Sequence, residues 1–384
     1  MIEYVNSEER ALVEVAREFA RDRLRELDRQ CDRDESSICV VLPQMAEMGF
    51  LSLRLPESVG GLGCNRLAYA AILHEIAYAS PSACVTISVH NLVGEMLSRL
   101  GGERIQAEIL PQMGQAESLG ALAVSEADAG SDAASSATRA VKRGGQWLIN
   151  GAKMWITNGV HGRWFVTLVQ TRQIGDKHGL CMILVDGRQQ GLERLKIEGK
   201  MGIRGSETVS LHLTDVRAPL DHLLGEEGSG LKQALMALNG GRIGVAAQAT
   251  GIAEACLDEM VGYARQRVQF GQPIARFQAI QTMVADSASE LAAAKALIAR
   301  ACTLAGDDDG FIAAAAKAKL YATEMACRVA DRAVQVHGGT GYVNDTIVEK
   351  LYRDVRVTRI YEGTSEIQRV VITRELLPDS LIPG

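Results

Sequence analysis

The feature that most constrains this chain is a change of hydrophobic period, from helical to alternating and back, along its 384 residues. Residues 1 to about 117 read as helical. Leu12, Ala16, Phe19 and Leu27 recur near helical spacing with charges between them, the pattern of a helix with one buried stripe. Pro43 and Pro81 fall where helices begin, because a proline in the first turn forfeits no intrahelical hydrogen bond. The Gly60-Gly61-Leu62-Gly63 cluster reads as a loop.

From about 118 the period shortens. A Gly144-Gly145 turn separates Ser136–Lys142 from Trp147–Ile149. Asn150-Gly151 reads as a second hairpin turn leading into Lys153–Thr157, since Asn-Gly accepts the positive φ of a two-residue loop. Strand-like runs follow at Phe165–Gln170, Leu180–Val185 and Thr208–Leu213. The helical pattern then returns. Ile280, Val284, Ser287, Leu291, Ala294 and Ile298 alternate steps of four and three, one stripe of a bundle helix. Another helix is predicted to stop at Phe270-Gly271-Gln272-Pro273. The expected fold is α+β in three domains: helical over residues 1–117, an antiparallel β barrel or sandwich over 118–226, and a four-helix bundle over 227–384. Clefts between such domains are where ligands bind.

Composition removes several classes of function. The net charge is −6 with no dense Lys/Arg tract, and aromatics make up only 4%. Neither nucleic acid nor an anionic membrane is an expected partner. Eight scattered cysteines without a C-x-x-C, and seven dispersed histidines, predict reduced thiols and no metal site. The uncharged run Ile76 to Gly94 approaches the length of a membrane span, but it holds Pro81, His90 and Asn91. Those residues are costly in hydrocarbon, so the run reads as protein interior. The N-terminus has neither the apolar core of a signal peptide nor the acid-poor look of a transit peptide, so a cytoplasmic protein is expected. No G-x-G-x-x-G, P-loop, H-E-x-x-H or G-x-S-x-G motif is present.

Five segments remain: AVSEADAGSD, MWITNG, ARQRVQFGQP, QVHGGTGY and YEGTSEIQR. Taken singly, each has an ordinary reading as a turn, a core tryptophan, a solvated arginine or a helix end. Together, in this order and spacing, they resemble the acyl-CoA dehydrogenase family across essentially the whole chain.

The resemblance implies FAD as cofactor and an acyl-CoA as substrate. Leu122, Val124, Ser125, Gly130 and Ser131 would line the flavin, with Ser131 also facing CoA. Trp155, Ile156 and Thr157 would lie against the flavin ring. Arg267 and Gln278 would hold the FAD diphosphate side, a task suited to a planar multi-donor guanidinium. Gln335, Val336, His337, Gly338 and Gly339 would reach the FAD of a neighbouring subunit, placing the sites at a dimer interface within a homotetramer (a dimer of dimers). Thr364, Ser365 and Glu366 complete the cofactor set. Asn239, Gly240, Gly241, Arg242 and Gly363 join Ser131 on the substrate side.

In this family a glutamate removes the α-proton of the thioester, and Glu362 matches it. A weak carbon acid needs a base raised towards neutrality by burial, and donors for the enolate oxygen. Some relatives carry their glutamate just before the arginine matched by Arg242, a place held here by Gly241. The implied reaction forms a trans-2-enoyl thioester and passes electrons to an electron-transferring flavoprotein. LNGGR, SDAAS and ISVHN resemble isobutyryl-type enzymes, whereas GRIGVAAQATGIA and WITNG resemble butyryl-type ones, so the acyl group is expected to be short, straight or branched. Asn239 stands where an Asp is common, which leaves a carrier-protein thioester open as the substrate. Two rivals are weighed against this reading. An oxidase of the same family is usually longer, and a non-catalytic acyl-CoA-binding member would lack Glu362 or the WIT segment, both present here.

Overall fold

The computed structural model describes residues 1–115, 118–304 and 309–377. Helix α1 (Ser7–Phe19) starts at a capping box, in which the Asn6 side chain accepts from the Glu9 amide and Glu9 answers the Asn6 amide. A π-turn at Ala20–Leu24 carries it into α2 (Arg25–Asp34). Helices α3 (Leu42–Glu47), α4 (Arg66–Ala79), α5 (Pro81–Leu100) and α6 (Leu110–Gly114) follow, with Pro43 and Pro81 in first turns as expected. The long uncharged run is divided between α4 and α5. Ser80 ends the first helix and caps the second through the Ala83 amide. Both helices are buried, and no described helix is long and apolar enough to cross a membrane.

The central strands are β1 (Leu119–Ala123), β2 (Arg139–Arg143), β3 (Gln146–Thr157), β4 (Gly162–Gln170), β5 (Leu180–Asp186), β6 (Leu192–Lys196), β7 (Thr208–Pro219) and β8 (Leu223–Leu224). They run in the order β6-β7-β3-β2-β4-β5-β8, with β1 paired to β4. The path is open, so the domain is a sandwich-like sheet and not a closed barrel. Its pairings are antiparallel, except for β1 on β4 and a single β2–β4 bridge. Trp147, Phe165, Ile183 and Leu211 fill one of its faces.

The Gly144-Gly145 turn joins β2 to β3 with both residues at positive φ, as the sequence predicts. Asn150-Gly151 does not turn the chain. Strand β3 runs straight through it because β7 continues to pair on that side, and the register merely slips between Ile149 and Gly151. Asn150 is used laterally, accepting from the Asp215 amide and donating to its carboxylate. A second slip between Lys153 and Ile156 holds Trp155 at φ +64. Bulges re-aim side chains in this way.

The C-terminal part comprises α7 (Gly230–Gln266), a hairpin of β9 (Val268–Gln269) and β10 (Gln272–Pro273), then α8 (Gln278–Cys302), α9 (Asp309–His337), α10 (Ile347–Val355) and α11 (Ser365–Leu376). The predicted helix stop at Phe270-Gly271 is corrected. α7 ends earlier, and these two residues, at φ +52 and +75, form the tip of the hairpin. Arg267 therefore sits on extended backbone just beyond the helix. The α8 stripe buries Ser287, Leu291, Ala294 and Ile298. α7 and α9 meet through alanines, including Ala246, Ala249, Ala322 and Ala326, and small side chains let helix axes approach closely.

Candidate active site

Glu362 lies between the turn that follows α10 and the start of α11. It adopts φ +54, followed by Gly363 at +87, a left-handed conformation that is costly for a glutamate unless its surroundings enforce it. Three donors do so. Gln368 Nε2 donates to the carbonyls of Glu362 (3.2 Å) and Gly363 (2.8 Å), and Lys319 Nζ donates to the Gly363 carbonyl at 2.8 Å. Thr364 caps α11 by accepting from the Ile367 amide. Among the described residues the Glu362 amide donates to no protein acceptor.

The carboxyl of Glu362 points at Gly241 on α7. A methyl group on that glycine would overlap Oε2, so the glycine makes the room. Oε2 is buried without a hydrogen-bond partner. Burial raises the carboxyl to about 7, against the opposing pull of Lys319 and Arg242. Arg242 is itself buried. Its Nη1 donates to Asn239 Oδ1 at 2.6 Å, and its Nε has no partner. Gly240 and Gly241 line a cleft between α4, α5 and α7, walled by Tyr69, Leu92, Met96, Met236 and Ile243. Arg54 and Glu95 meet in a two-bond ion pair on the same wall, at 3.0 and 3.3 Å. The Glu362–Gly363 turn is thus set against the Asn239–Arg242 stretch of α7, of which Gly240 and Gly241 line the cleft.

A second group gathers on the β domain. Lys153 is fully buried, and its Nζ donates to the Val124 carbonyl (3.0 Å), Glu126 Oε1 (2.7 Å) and Ser136 Oγ (3.0 Å). The Glu126 carboxylate also accepts the amides of Ala137 and Thr138. Burial opposes its charge, but Lys153 and these donors prevail and hold it at about 2. Residues 124–136 are clamped as a result. The Met154 amide donates to the Ser125 carbonyl at 2.9 Å, bringing Ser125 beside Trp155. The Trp155 ring is 59% exposed, an unusual state for so large an apolar group. Gly130 and Ser131 are exposed and Leu122 and Thr157 half-buried, while Val124 and Ile156 face the interior.

The third group lies elsewhere. Arg267, Gln278, Gln335, Gly338 and Gly339 are exposed. Val336 and His337 are buried, the His337 ring stacking on Tyr263 at 4.2 Å and so tying the end of α9 to that of α7. Between Gly241 and Arg267 α7 advances roughly 40 Å, at 1.5 Å per residue. A single chain therefore does not bring Arg267 to the pocket of Glu362. On α11, Ser365 is buried with an unpartnered hydroxyl, and Glu366 is exposed.

Sequence reasoning missed Lys319, Lys153 and the Arg54–Glu95 pair. A signal for Lys319 existed: it falls on the helical stripe Phe311, Ala315, Ala318, Ala322, where an ammonium is out of place.

Comparison with known proteins gives the chain its family. The acyl-CoA dehydrogenase N-terminal, middle and C-terminal domain models match residues 6–117, 121–216 and 228–377. The chain belongs to the acyl-CoA dehydrogenase family. It is 40% identical over 368 residues to the human mitochondrial short-chain specific acyl-CoA dehydrogenase, covering 95% of this chain and 89% of that one. Butyryl-CoA dehydrogenase from Megasphaera elsdenii superposes with a TM-score of 0.93 at 33% identity, over 97% and 98% of the two chains. A chain from a structure described as the electron transferring flavoprotein of Acidaminococcus fermentans superposes at 0.94 and 35%, over 98% and 99%.

The family's cofactor is FAD, and the residues present fit it. Trp155 offers an uncovered aromatic face held out by a bulge. Gly130, Gly338 and Gly339 have nothing within 4 Å of where a side chain would begin, so phosphate oxygens can approach their backbone. Arg267 makes no ion pair among the described residues, leaving its donors for an anion.

Proposed function

We propose that this enzyme dehydrogenates short straight or branched acyl-CoA thioesters, with Glu362 as the base that takes the α-proton. The observation that carries the reading is a carboxyl whose Oε2 is buried without a partner, raised to about 7, and set against Gly241, a residue that lines the cleft. A base of that strength is about half ionised at neutral pH and far more avid for a proton than an exposed glutamate. The Glu362 amide stands beside it as a donor for the thioester oxygen, where negative charge builds as the proton leaves. Bound FAD would supply the acceptor for the β-hydrogen, which leaves as hydride.

The remaining residues orient and enclose. Asn239, its Oδ1 engaged by Arg242, keeps its amide N–H groups for the pantetheine arm, and Ser131 faces the same arm from the β domain. The Lys153–Glu126 clamp fixes the Ser125 loop against the cofactor. Arg267, Gln278 and the Gln335–Gly339 segment serve the FAD of a neighbouring chain, which makes the working unit a homodimer, and by resemblance a tetramer. An electron-transferring flavoprotein is the proposed acceptor, in keeping with the Acidaminococcus relative. The test is anaerobic titration of the purified protein with butyryl-CoA, isobutyryl-CoA and palmitoyl-CoA, following flavin bleaching. Four-carbon substrates should bleach it far faster than palmitoyl-CoA. A maximum at twelve carbons or beyond, or no bleaching by any acyl-CoA, overturns the proposal.

A further inference from the structure

A cation interrupts the apolar stripe of α9. Phe311, Ala315, Ala318 and Ala322 are buried at helical spacing, and Lys319, equally buried, lies among them. An ammonium removed from water is costly unless charge and hydrogen bonds compensate it. Lys319 forms no ion pair with a carboxylate among the described residues, and its hydrogen bond goes to the Gly363 carbonyl. That carbonyl belongs to the residue directly after Glu362.

We infer that Lys319 is a positioning residue for the reaction: from α9 it fixes the Glu362–Gly363 turn and supplies the positive charge that keeps the buried carboxylate in its proton-accepting form. The inference rests on Glu362 being the base. Two donors share the Gly363 oxygen at the same distance, Lys319 Nζ and Gln368 Nε2, both 2.8 Å. They differ in kind. Gln368 contributes geometry alone, because its amide is neutral. Lys319 contributes geometry and charge.

The charged surroundings are few. Glu362 faces Lys319 from α9 and Arg242 from α7, and the neighbouring Tyr361 phenol is held neutral by burial. Lys319 in turn feels Glu362, Arg242, Glu324 and Glu366. Burial pushes the carboxyl up to about 7 and the ammonium down to about 8. Between those values both groups are charged and each favours the other's ionised form. Removing the cation leaves the carboxyl protonated to higher pH, so the acid limb of the kcat/KM profile moves in the alkaline direction.

The experiment measures flavin reduction by butyryl-CoA as a function of pH in the FAD-loaded enzyme. Lys319→Met should shift the acid limb upward by about one pH unit or more, seen as roughly tenfold slower reduction below the limb. Lys319→Gln, which keeps a donor for the Gly363 oxygen but no charge, should shift it likewise. Lys319→Arg keeps the charge and should leave the limb in place while lowering the plateau. Gln368→Leu should lower the plateau with the limb unmoved. A merely structural lysine would change FAD retention and melting temperature without moving the limb. An unmoved limb in folded, FAD-holding Lys319→Met overturns the inference. Should that variant not fold, an unmoved limb in Lys319→Gln, or a shifted one in Lys319→Arg, does the same. Glu362→Gln is the separate control: normal reduction there would remove the base itself, whatever Lys319 does.

Discussion

Glu362→Gln should stabilise the folded protein at neutral and alkaline pH while abolishing its chemistry. In the folded chain the carboxyl titrates at about 7, above its ordinary value of 4.5, chiefly because burial penalises the charge. In the unfolded chain it titrates near 4.5. Between these values the unfolded state has released a proton that the native state retains. Stability therefore falls as pH rises through this window. The gap is about 2.5 pH units, or about 3 kcal/mol at 1.36 kcal/mol per unit. Glutamine keeps the shape and never ionises, so it escapes the penalty. The assay compares melting temperatures of wild type and variant at pH 5 and pH 8, with FAD and protein concentration matched because both shift apparent stability. The variant should gain several degrees on the wild type at the higher pH and little at the lower. A gap that does not change with pH, or a variant that melts lower at pH 8, would show that the carboxyl is not held in a charge-averse site. Flavin reduction by the same variant should fall by about 10²–10⁴-fold or more.

Three other outcomes are expected. Gly241→Glu in the wild-type background should be poorly active, since its side chain competes for the space of the Glu362 carboxyl; combined with Glu362→Gly it should recover about a hundredth of normal flavin reduction or more, because a displacement near 1 Å costs roughly a hundredfold. A double variant as inactive as Glu362→Gln would show that the two positions do not reach the same α-carbon. Arg267→Ala should release FAD during gel filtration at concentrations where the wild type retains it, and equal retention would remove Arg267 from the cofactor set. Lys153→Met leaves the Glu126 carboxylate without its cation, which should cost roughly 3 kcal/mol in chemical denaturation and weaken FAD binding; an unchanged denaturation midpoint would refute the clamp.

How much of this was legible in advance depended on whether a residue's neighbours were local. The Gly144-Gly145 turn and the proline-led starts of α3 and α5 follow from backbone chemistry within a few residues, and the structure has them. Asn150-Gly151 carries the same local signal, yet long-range pairing with β7 keeps the strand going. Phe270-Gly271 was a turn signal assigned to the wrong element: a Gly after a helix suits a helix end or a hairpin tip equally well, and pairing across Val268–Pro273 decides it. Glu362 was found through its motif. The surroundings that suit it to the proposed role of base cannot be read from that motif, because Gly241 lies 121 positions upstream and Lys319 on another helix. The unsatisfied Oε2 exists only once those elements pack.

The length of α7 has a genetic consequence. The helix places the pocket of Glu362 and the tip bearing Arg267 roughly 40 Å apart, so under the proposed pairing of chains each cofactor is gripped by one polypeptide and worked on by the other. Two inactive alleles, one Glu362→Gln and the other Arg267→Ala, would then complement each other when co-expressed. In a mixed pair one site inherits both defects, and the other, built from the two unaltered halves, inherits neither. Each mixed dimer would carry a single competent site, and pure populations of either allele would carry none.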